Sequence, residues 1–589
     1  MSQNGTHPTT GTDLTSAPPV KLDGVHHRVL ETARNRVLVS GIVFAVAFML
    51  IAARLVELSV FGPANDPGYV ALTAPDRTPI RGDIVDRNGV LLATSLPTAS
   101  LYADPTEVLD PQDAARRLAE VMPDLDPQRV LAKLTANSRF EWLRRNLTPA
   151  EQYAINELGI PGLGFVHERR RLYPHGRAAA HVLGFTDIDG RGIAGVERSF
   201  DDTLTAGEDL RLAIDIRVQD LLREEMAAAV SEFEALGAAG LVADVRTGEV
   251  LAMVSLPDFD ANAPAMAPAD ARFNRAAKGV YEMGSTFKLF TAAMAIDSGT
   301  ATLQDRYDAR QPLRVARFTI RDHRPEARWL TVPEVVMHSS NIGAAKMALD
   351  VGGEAQRDYL GRLGLLTPAA IELPEVGSPL VPQRWREVTT MTVAFGHGVA
   401  VSPVQLTQAV AAVAGGGVLR PATLLATHGT EPAGARVLTA ESSEAVRALM
   451  RLVVRRGTGR KAEVPGYRLG GKTGTAEKLV DGRYRDGAVI ASFVGAFPID
   501  DPRYVVLAVF DEPKGTAETL HHATGGWIAA PVVGRVVRRL APLMGLAPVM
   551  SDEQDIVPVR RPVERPSKPF LVAVKEAIDD ARGRRLASY

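Results

Sequence analysis

The sequence predicts an α+β fold with an antiparallel sheet for residues 236–548, preceded by a mixed α/β domain and a single N-terminal transmembrane helix. Three observations predict this arrangement. An apolar run stands near the N-terminus, a strand hairpin opens the long C-terminal region, and helical stretches separate that hairpin from two closing strand-like runs. Helices lying between an opening hairpin and closing strands are typical of α+β domains.

The composition describes a long, nearly neutral globular protein. At about 150 residues per domain, 589 residues correspond to three or four domains. Hydrophobic residues make up 46% and charged residues 23%, which disfavours wholesale disorder and a polytopic membrane protein. Lys and Arg (67) nearly balance Asp and Glu (69), so no basic field for nucleic acid is expected. Cysteine is absent, which excludes disulfides and thiolate chemistry but leaves the compartment open.

Residues 1–36 form a polar tail, which we expect to be disordered at its start and basic towards its end. An uncharged run then extends from Val37 to Ala53, and Arg54 closes it. The run is at the lower limit for spanning a bilayer, and Arg54 can extend it by reaching the interface. We therefore predict a transmembrane helix over residues 37–57.

The positive flank of this helix is the N-terminal one, because the next basic residue after Arg54 is Arg77. This asymmetry predicts a cytoplasmic N-terminus and an extracytoplasmic remainder. A buried core helix and a cleaved signal peptide are the alternatives. They are disfavoured by the Pro- and Gly-rich chain that follows and by the lack of a nearby small-x-small cleavage site.

Residues 58–235 are predicted to be a mixed, loop-rich α/β domain. Asn88-Gly89 stands between two apolar-rich runs, which is a strong signal for a hairpin. Residues 110–160 have helical patterning, with two segments that each open on a capping residue and a proline. A strand-like run and a helix end the domain between Arg211 and Ala229.

Residues 236–548 begin with two strands around the turn Arg246-Thr247-Gly248-Glu249. Helical patterning follows at 285–300, 331–350, 404–414 and 441–456, and strand-like runs at 490–497 and 503–510. Residues 549–589 are predicted to be a tail, Pro-rich in its first part and weakly helical in its second.

Several kinds of chemistry have no signature in this chain. The twelve histidines form no HExxH or HxxEH pair, so we expect no metal site of that kind. A GxSxG elbow followed by Asp and His is absent, which disfavours an α/β-hydrolase triad. No GxxxxGK[ST] loop is present, so no cradle for a nucleotide cofactor is visible. Covalent chemistry would have to use another nucleophile, such as serine.

Ser285 and Lys288 stand three residues apart at the start of an apolar helix, so both side chains emerge on one face. The helix is apolar on nearly every side, which predicts that it is buried. Burial or a second cation lowers the pKa of a lysine, and a neutral amine can take the serine proton. Alone, this spacing is weak evidence for catalysis, since an N-cap serine and a lysine that reaches solvent are the commoner explanation.

Two further motifs follow in the chain. Ser339-Ser340-Asn341 comes after a helical run, and Lys472-Thr473-Gly474-Thr475 follows two glycines on a predicted strand edge. Glycines permit close backbone approach to a ligand, and a lysine with two hydroxyls can hold a carboxylate. Each motif is weak by itself, but the order S-x-x-K, S-x-N, K-T-G-T would rarely arise by chance.

The three motifs resemble those of the penicillin-binding proteins, which are serine acyltransferases. The resemblance extends over about residues 55–545. Segments similar to the class B transpeptidase domain lie at 274–288, 395–406, 472–478, 491–498 and 525–534, and segments similar to its pedestal domain at 81–89, 171–176 and 192–197. Met283 departs from the proline common in the family. Within class B the chain is most similar to the division-specific (FtsI) type, and the elongation-specific type is the alternative.

The resemblance implies a penicillin-binding transpeptidase fold, similar to serine β-lactamases, and a D,D-transpeptidase that needs no cofactor. Carried over to this sequence, it implies Ser285 as nucleophile, Lys288 as base, Ser339 as proton relay, Asn341 as a donor to the substrate amide and Lys472 as an electrostatic partner. It also implies that Thr473, Gly474 and Thr475 bind substrate and that the backbone N–H groups of Ser285 and Thr475 form the oxyanion hole.

The implied substrates are peptidoglycan stem peptides on lipid-linked or nascent glycan strands, and the implied inhibitors are β-lactams. The implied partners are a SEDS-family glycosyltransferase, other division proteins and the inner (plasma) membrane through one helix, with no nucleic acid.

Three rival functions are a β-lactamase, a membrane-anchored β-lactam sensor and a catalytically silent scaffold. Class A β-lactamases need a Glu-x-x-Leu-Asn element, and Asn341 is the only asparagine after Lys288. The short N-terminal tail provides no effector domain for a sensor, and the intact set of motif residues disfavours a silent scaffold.

Overall fold

The computed structural model describes residues 25–60, 79–315, 318–427, 430–480 and 483–549. The chain divides into two compact units, Met1–Thr78 and Pro79–Tyr589. The predicted disorder of residues 1–20 and the predicted tail after residue 549 lie outside the described residues.

The first unit contains one long helix, α1 (Val25–Val60). Its stretch Arg34–Arg54 has a mean hydropathy of 2.4 and is long and apolar enough to cross a membrane. The large apolar side chains of the stretch Arg34–Arg54 are exposed, among them Phe44 and Phe48. The helix is longer at both ends than the predicted 37–57: residues 25–36, which include Arg and Glu, both good helix formers, extend it at the start, and residues 58–60 extend it at the end.

The second unit begins with a region of short helices around a five-stranded sheet. The sheet contains β1 (Ile84–Val85), β2 (Leu91–Ala103), β3 (Glu141–Leu147), β4 (Leu163–Leu172) and β7 (Leu210–Arg211), and a separate pair consists of β5 (Phe185–Thr186) and β6 (Gly192–Ala194). The helices of this region are α2 (Pro111–Val121), α3 (Pro127–Leu134), α4 (Pro149–Glu157), α5 (Ala180–Leu183), α6 (Gly195–Ser199), α7 (Asp201–Thr205) and α8 (Ile216–Glu232). The sheet has the order β3-β2-β1-β7, and β4 pairs with β2.

The hairpin predicted at Asn88-Gly89 is confirmed. Strands β1 and β2 pair antiparallel across it, and Gly89 adopts a φ of 87° that suits glycine. The predicted helical character of residues 110–160 is only partly right. Helices α2 and α4 start after the caps Asp110 and Thr148, but strand β3 lies between them. Its arginines interrupt the alternation of apolar side chains that would have revealed a strand.

A buried ion-pair network joins three distant segments of this region. Glu197 is fully buried and accepts hydrogen bonds from Arg81 and from Arg171, at 2.8 and 2.7 Å. Arg81 also bonds Asp201, at 2.7 Å, and Arg171 donates to the backbone carbonyl of Gly82. The network therefore links the start of the region to β4, α6 and α7.

The rest of the second unit is built on a five-stranded antiparallel sheet of order β18-β19-β20-β8-β9. These strands are β8 (Gly237–Asp244), β9 (Val250–Leu256), β18 (Gly470–Val480), β19 (Arg483–Phe497) and β20 (Tyr504–Asp511). Short strands outside this sheet are β10 (Tyr281–Glu282), β11 (Arg306–Asp308), β12 (Leu313–Val315), β13 (Phe318–Ile320), β14 (Trp329–Thr331), β15 (Ala400–Val401), β16 (Val418–Leu419) and β17 (Ala435–Arg436). The opening hairpin and the two closing strands agree with the sequence prediction.

Helices cover both faces of this sheet. They are α9 (Lys288–Asp297), α10 (Val332–His338), α11 (Asn341–Val351), α12 (Gly353–Arg362), α13 (Glu387–Val393), α14 (Pro403–Ala414), α15 (Ala440–Arg456) and α16 (Ala529–Leu543). Alternate residues of β20 enter two cores: Val506 packs in the core that contains α8 and α16, and Leu507 in the core that contains α9 and α14.

The helical stretch predicted over 331–350 is broken into α10 and α11. Ser339 ends α10 in the left-handed region, at a φ of 63°, and Ser340 caps α11 through a bond from Gly343 N. The stretch predicted over 285–300 is shorter than expected, because residues 284–287 form a 3-10 turn before α9 begins. Both irregularities fall on motif residues.

The replacement Glu197→Ala should lower the free energy of unfolding by about 3 to 5 kcal/mol, because it leaves two arginines buried without their carboxylate. Urea unfolding of the full chain in detergent micelles measures this loss. Glu120→Ala is the matched control, since it removes an exposed carboxylate paired with Arg116 in α2 and should change stability little. Equal losses in the two variants would contradict the account of the network.

Candidate active site

Ser285 lies in the 3-10 turn that leads into α9, and it is half-buried. Lys288 follows at the first residue of the helix and is 1% exposed. Its Nζ lies 2.9 Å from Ser285 Oγ. The α9 side chains that follow it, such as Leu289 and Phe290, are also buried, so Lys288 lies in the interior and not at the surface. The geometry suits proton transfer between the two groups.

The break between α10 and α11 presents polar atoms to the same lysine. Lys288 Nζ lies 2.6 Å from the backbone carbonyl of Ser339, 3.1 Å from its Oγ and 2.7 Å from Asn341 Oδ1. The left-handed conformation of Ser339 lets both its carbonyl and its side chain approach the amine. Local backbone strain of this kind is concentrated at functional sites.

The third motif lies on β18, at the edge of the five-stranded sheet. Lys472 is fully buried, and its Nζ donates to Ser339 Oγ at 3.0 Å. Thr473 is 6% exposed and shares a hydrogen bond of 2.7 Å with Thr458. Thr475 is half-buried and accepts a bond from the backbone N–H of Gly525 at 3.1 Å. The Ser339 hydroxyl therefore connects the two lysines.

Glycines allow the elements of the site to touch through their backbones. A Cβ on Gly284 would lie 2.6 Å from the carbonyl oxygen of Thr475. A Cβ on Gly474 would lie 2.5 Å from the carbonyl oxygen of Met283. The turn that carries Ser285 and the K-T-G-T strand are thus in direct backbone contact, which no larger residue would permit. This contact fixes the distance between the nucleophile and the strand.

The electrostatics favour a neutral amine at Lys288. Burial holds the pKa of Lys288 well below its usual range, the positive charge of Lys472 lowers it further, and Asp322 opposes both effects. Burial also lowers the pKa of Lys472, to about 7. Since the two cations share a small buried space, loss of a proton from one stabilises the charge on the other. Such perturbed groups in a built cluster are typical of catalytic sites.

Family comparisons agree with this geometry. The family model for the penicillin-binding protein transpeptidase domain matches residues 238–538, and the model for the penicillin-binding protein dimerisation domain matches residues 76–211. The chain belongs to the class B penicillin-binding proteins.

Individual relatives show which type of class B penicillin-binding protein this chain is. The protein named probable peptidoglycan D,D-transpeptidase FtsI from Caulobacter vibrioides is 44% identical over 481 residues, which cover 79% of this chain and 82% of that protein. The FtsI of Escherichia coli is 32% identical over 557 residues, which cover 87% of this chain and 92% of that protein. This penicillin-binding protein is therefore a serine-type peptidoglycan D,D-transpeptidase of the FtsI type.

A solved structure shares the fold. Penicillin-binding protein 3 of Mycobacterium tuberculosis, crystallised as a complex with aztreonam, superimposes with a TM-score of 0.64 at 25% identity, covering 80% of this chain and 98% of that one. The fold predicted from the motifs is thus confirmed.

The structure brings together every residue that the sequence analysis singled out, and it adds others that were missed. Asp322 bonds the residues around Asn341, and Thr458 bonds Thr473. Neither could be found from the sequence, because Asp322 lies in a charged stretch that looks like a surface loop and Thr458 in an ordinary Gly-Thr-Gly turn. Only tertiary packing brings them to the site.

The rate of acylation by a penicillin should depend on pH in a bell shape. It should fall at low pH, where Lys288 regains its proton and can no longer accept the proton of Ser285. It should also fall as the pH rises through about 7, because Lys472 then loses the charge that would attract the carboxylate of the penicillin. Stopped-flow or gel-based rates between pH 5 and about 9 measure the profile.

A penicillin methyl ester is the matched probe, since it lacks that carboxylate. The rate of acylation by the ester should still fall at low pH (the acid limb) but should no longer fall as the pH rises through about 7 (the alkaline limb). An alkaline limb that is unchanged with the ester would contradict the role given to Lys472.

Proposed function

We propose that this chain cross-links the stem peptides of peptidoglycan during septal cell-wall synthesis, through an acyl-enzyme on Ser285. One observation carries the proposal: a buried amine with a lowered pKa, Lys288 Nζ, lies 2.9 Å from the Ser285 hydroxyl. The hydroxyl of serine is a weak nucleophile unless an adjacent base takes its proton. In this site the base is already in contact with it.

In the acylation step, Ser285 Oγ attacks the carbonyl carbon of the penultimate D-alanine while Lys288 takes the hydroxyl proton. The peptide bond to the terminal D-alanine then breaks, and its nitrogen must receive a proton. Ser339 Oγ lies within 3.1 Å of both lysines, which makes it the relay for that proton. The products are free D-alanine and an ester on Ser285.

In the second step, the amine of a neighbouring stem peptide attacks this ester. A new amide bond forms, the ester bond to Ser285 Oγ breaks, and one proton of the amine passes through Lys288 to Ser285 Oγ, which restores the free hydroxyl. Asn341, fixed by bonds to Lys288 and to the carbonyl of Arg321, is suited to orient the substrate amide. The backbone N–H groups of Ser285 and Thr475 are proposed to stabilise the oxyanion in both steps.

The substrate is proposed to lie along β18. Because β18 is an edge strand, an extended peptide can add to it through backbone hydrogen bonds. Lys472, Thr473 and Thr475 would then receive the terminal carboxylate, and Gly474 leaves room for the peptide backbone. A β-lactam that mimics the D-alanyl-D-alanine end would acylate Ser285 in the same way and remain bound.

The helix α1 is proposed to anchor the protein in the inner (plasma) membrane, with the N-terminus in the cytoplasm and the catalytic region outside. The region before β8 and this helix are proposed to bind a SEDS-family glycosyltransferase and other division proteins. These assignments are supported by the apolar stretch Arg34–Arg54 and by the similarity to FtsI proteins.

The replacement Ser285→Ala should abolish covalent labelling of the full chain by a fluorescent penicillin, because it removes the hydroxyl that is proposed to form the acyl ester. Labelling is read on a denaturing gel, and release of D-alanine from a synthetic stem pentapeptide is measured in parallel. Ser298→Ala is the matched control: Ser298 follows the same helix, bonds the Met294 carbonyl, and should be dispensable. Persistent labelling of the Ser285→Ala variant would contradict the mechanism.

Depletion of the protein in growing cells should produce filaments, since septal synthesis would stop while elongation continues. Phase-contrast microscopy with a fluorescent D-amino acid shows the cell shape and the site of wall synthesis. Complementation with Ser298→Ala should restore division, and complementation with Ser285→Ala should not. Round cells on depletion would contradict the septal role and favour the elongation-specific alternative.

A further inference from the structure

We propose that Asp322 is a positioning residue of the acylation reaction: its buried carboxylate fixes the turn that carries Ser339 and Asn341, and it supplies negative charge that acts on Lys288. The inference rests on the proposed function, in which Lys288 is the base for Ser285. Asp322 belongs to none of the three motifs.

The carboxylate of Asp322 is tied to the start of α11 at two points. Asp322 is 7% exposed, its Oδ2 accepts a bond of 2.7 Å from Ser340 Oγ, and its Oδ1 accepts one of 3.0 Å from the backbone N–H of Ile342. Ser340 Oγ in turn accepts from Gly343 N at 3.0 Å. The first turn of α11 is therefore capped by a side chain from outside the helix.

The residue before Asp322 holds the same turn from the other side. The backbone carbonyl of Arg321 accepts a bond of 2.9 Å from Asn341 Nδ2. This bond leaves Asn341 Oδ1 to face Lys288 Nζ, at 2.7 Å. The segment after β13 thus sets which atom of the asparagine side chain meets the lysine.

The bonds that join Asp322 and Arg321 to the start of α11 matter because the turn at Ser339 is strained. Ser339 is held at a φ of 63°, a conformation that a non-glycine residue keeps only when its neighbours impose it. Its carbonyl and hydroxyl are two of the atoms that contact Lys288. If the first turn of α11 loosened, these contacts would lengthen together, and the amine would lose its orientation towards Ser285.

The charge of Asp322 has a separate effect. The charged groups that act on Lys288 are Lys472, from β18, and Asp322, from the segment after β13. The other elements that contact the amine contribute the neutral groups of Ser339 and Asn341. Asp322 raises the pKa of Lys288 against burial and against Lys472, and so keeps the amine basic enough to accept a proton.

The test is the pH profile of acylation of the full chain, in detergent micelles, by a fluorescent penicillin. In Asp322→Asn, loss of the negative charge should lower the pKa of Lys288, so the acid limb should move to lower pH by on the order of one unit. The rate at the optimum should also fall, on the order of tenfold, because the amide replaces one accepting oxygen by a donor. Asp322→Glu keeps the charge and should bring the acid limb back towards that of the wild type.

Asp86→Asn is the matched control, because Asp86 is also fully buried and accepts backbone N–H bonds, including one from Ile216 at the start of α8. Asp86 is not among the charges that act on Lys288, so this variant should lose stability without any shift of the acid limb. A lower rate with an unshifted limb in Asp322→Asn would assign the residue a structural role only and overturn the proposal.

If Asp322→Asn does not fold, Asp322→Ser replaces it, since serine also removes the charge and offers an oxygen to the helix start. The proposal would likewise be overturned if both neutral variants failed to fold while Asp322→Glu folded and its acid limb was shifted from that of the wild type. The proposed function fails separately, if wild-type protein is not acylated or if Ser285→Ala still is.

Discussion

The burial of two lysine side chains around one serine hydroxyl is the constraint on which this site depends. Lys288 and Lys472 lie 3.1 and 3.0 Å from Ser339 Oγ, and neither is more than 1% exposed. Charges in a buried site lose the solvation of water, and two cations at this range repel each other strongly. The pair therefore does not hold two protons easily near neutral pH, and one amine becomes available as a base beside Ser285.

The fold is arranged so that this unfavourable burial cannot relax. The nucleophile turn, the break between α10 and α11 and the edge strand β18 come from three distant parts of the chain. Gly284 and Gly474 bring the first and third into backbone contact, and Asp322 clamps the second. The sheet β18-β19-β20-β8-β9, to which the third segment belongs, has an apolar core on each face, and α9 packs in one of the two cores. These contacts hold the three segments around the two lysines together.

Much of this arrangement could be predicted from the sequence, and the limits have physical reasons. Hairpins with glycine turns and the amphipathic helices were recognisable because local patterns specify them, as at Asn88-Gly89. The three motifs were recognisable by their order. Strand β3 was not predicted, because its arginines interrupt the alternation of apolar side chains. The break at Ser339 was not predicted either, because the helical pattern of the sequence continues across it. Asp322 could not be found, because its role depends on contacts that only tertiary packing creates.

The most direct test of the account is the protonation state of Lys288 in the resting protein. The full chain labelled with [¹³C,¹⁵N]lysine, in detergent micelles, would be titrated by NMR, and the signal absent from Lys288→Met would be assigned to this residue. The account predicts that the side-chain shifts of Lys288 change from those of an ammonium ion to those of a neutral amine well below the pH of about 10.4 that is usual for lysine. A signal that stays that of an ammonium ion up to about pH 10 would contradict it.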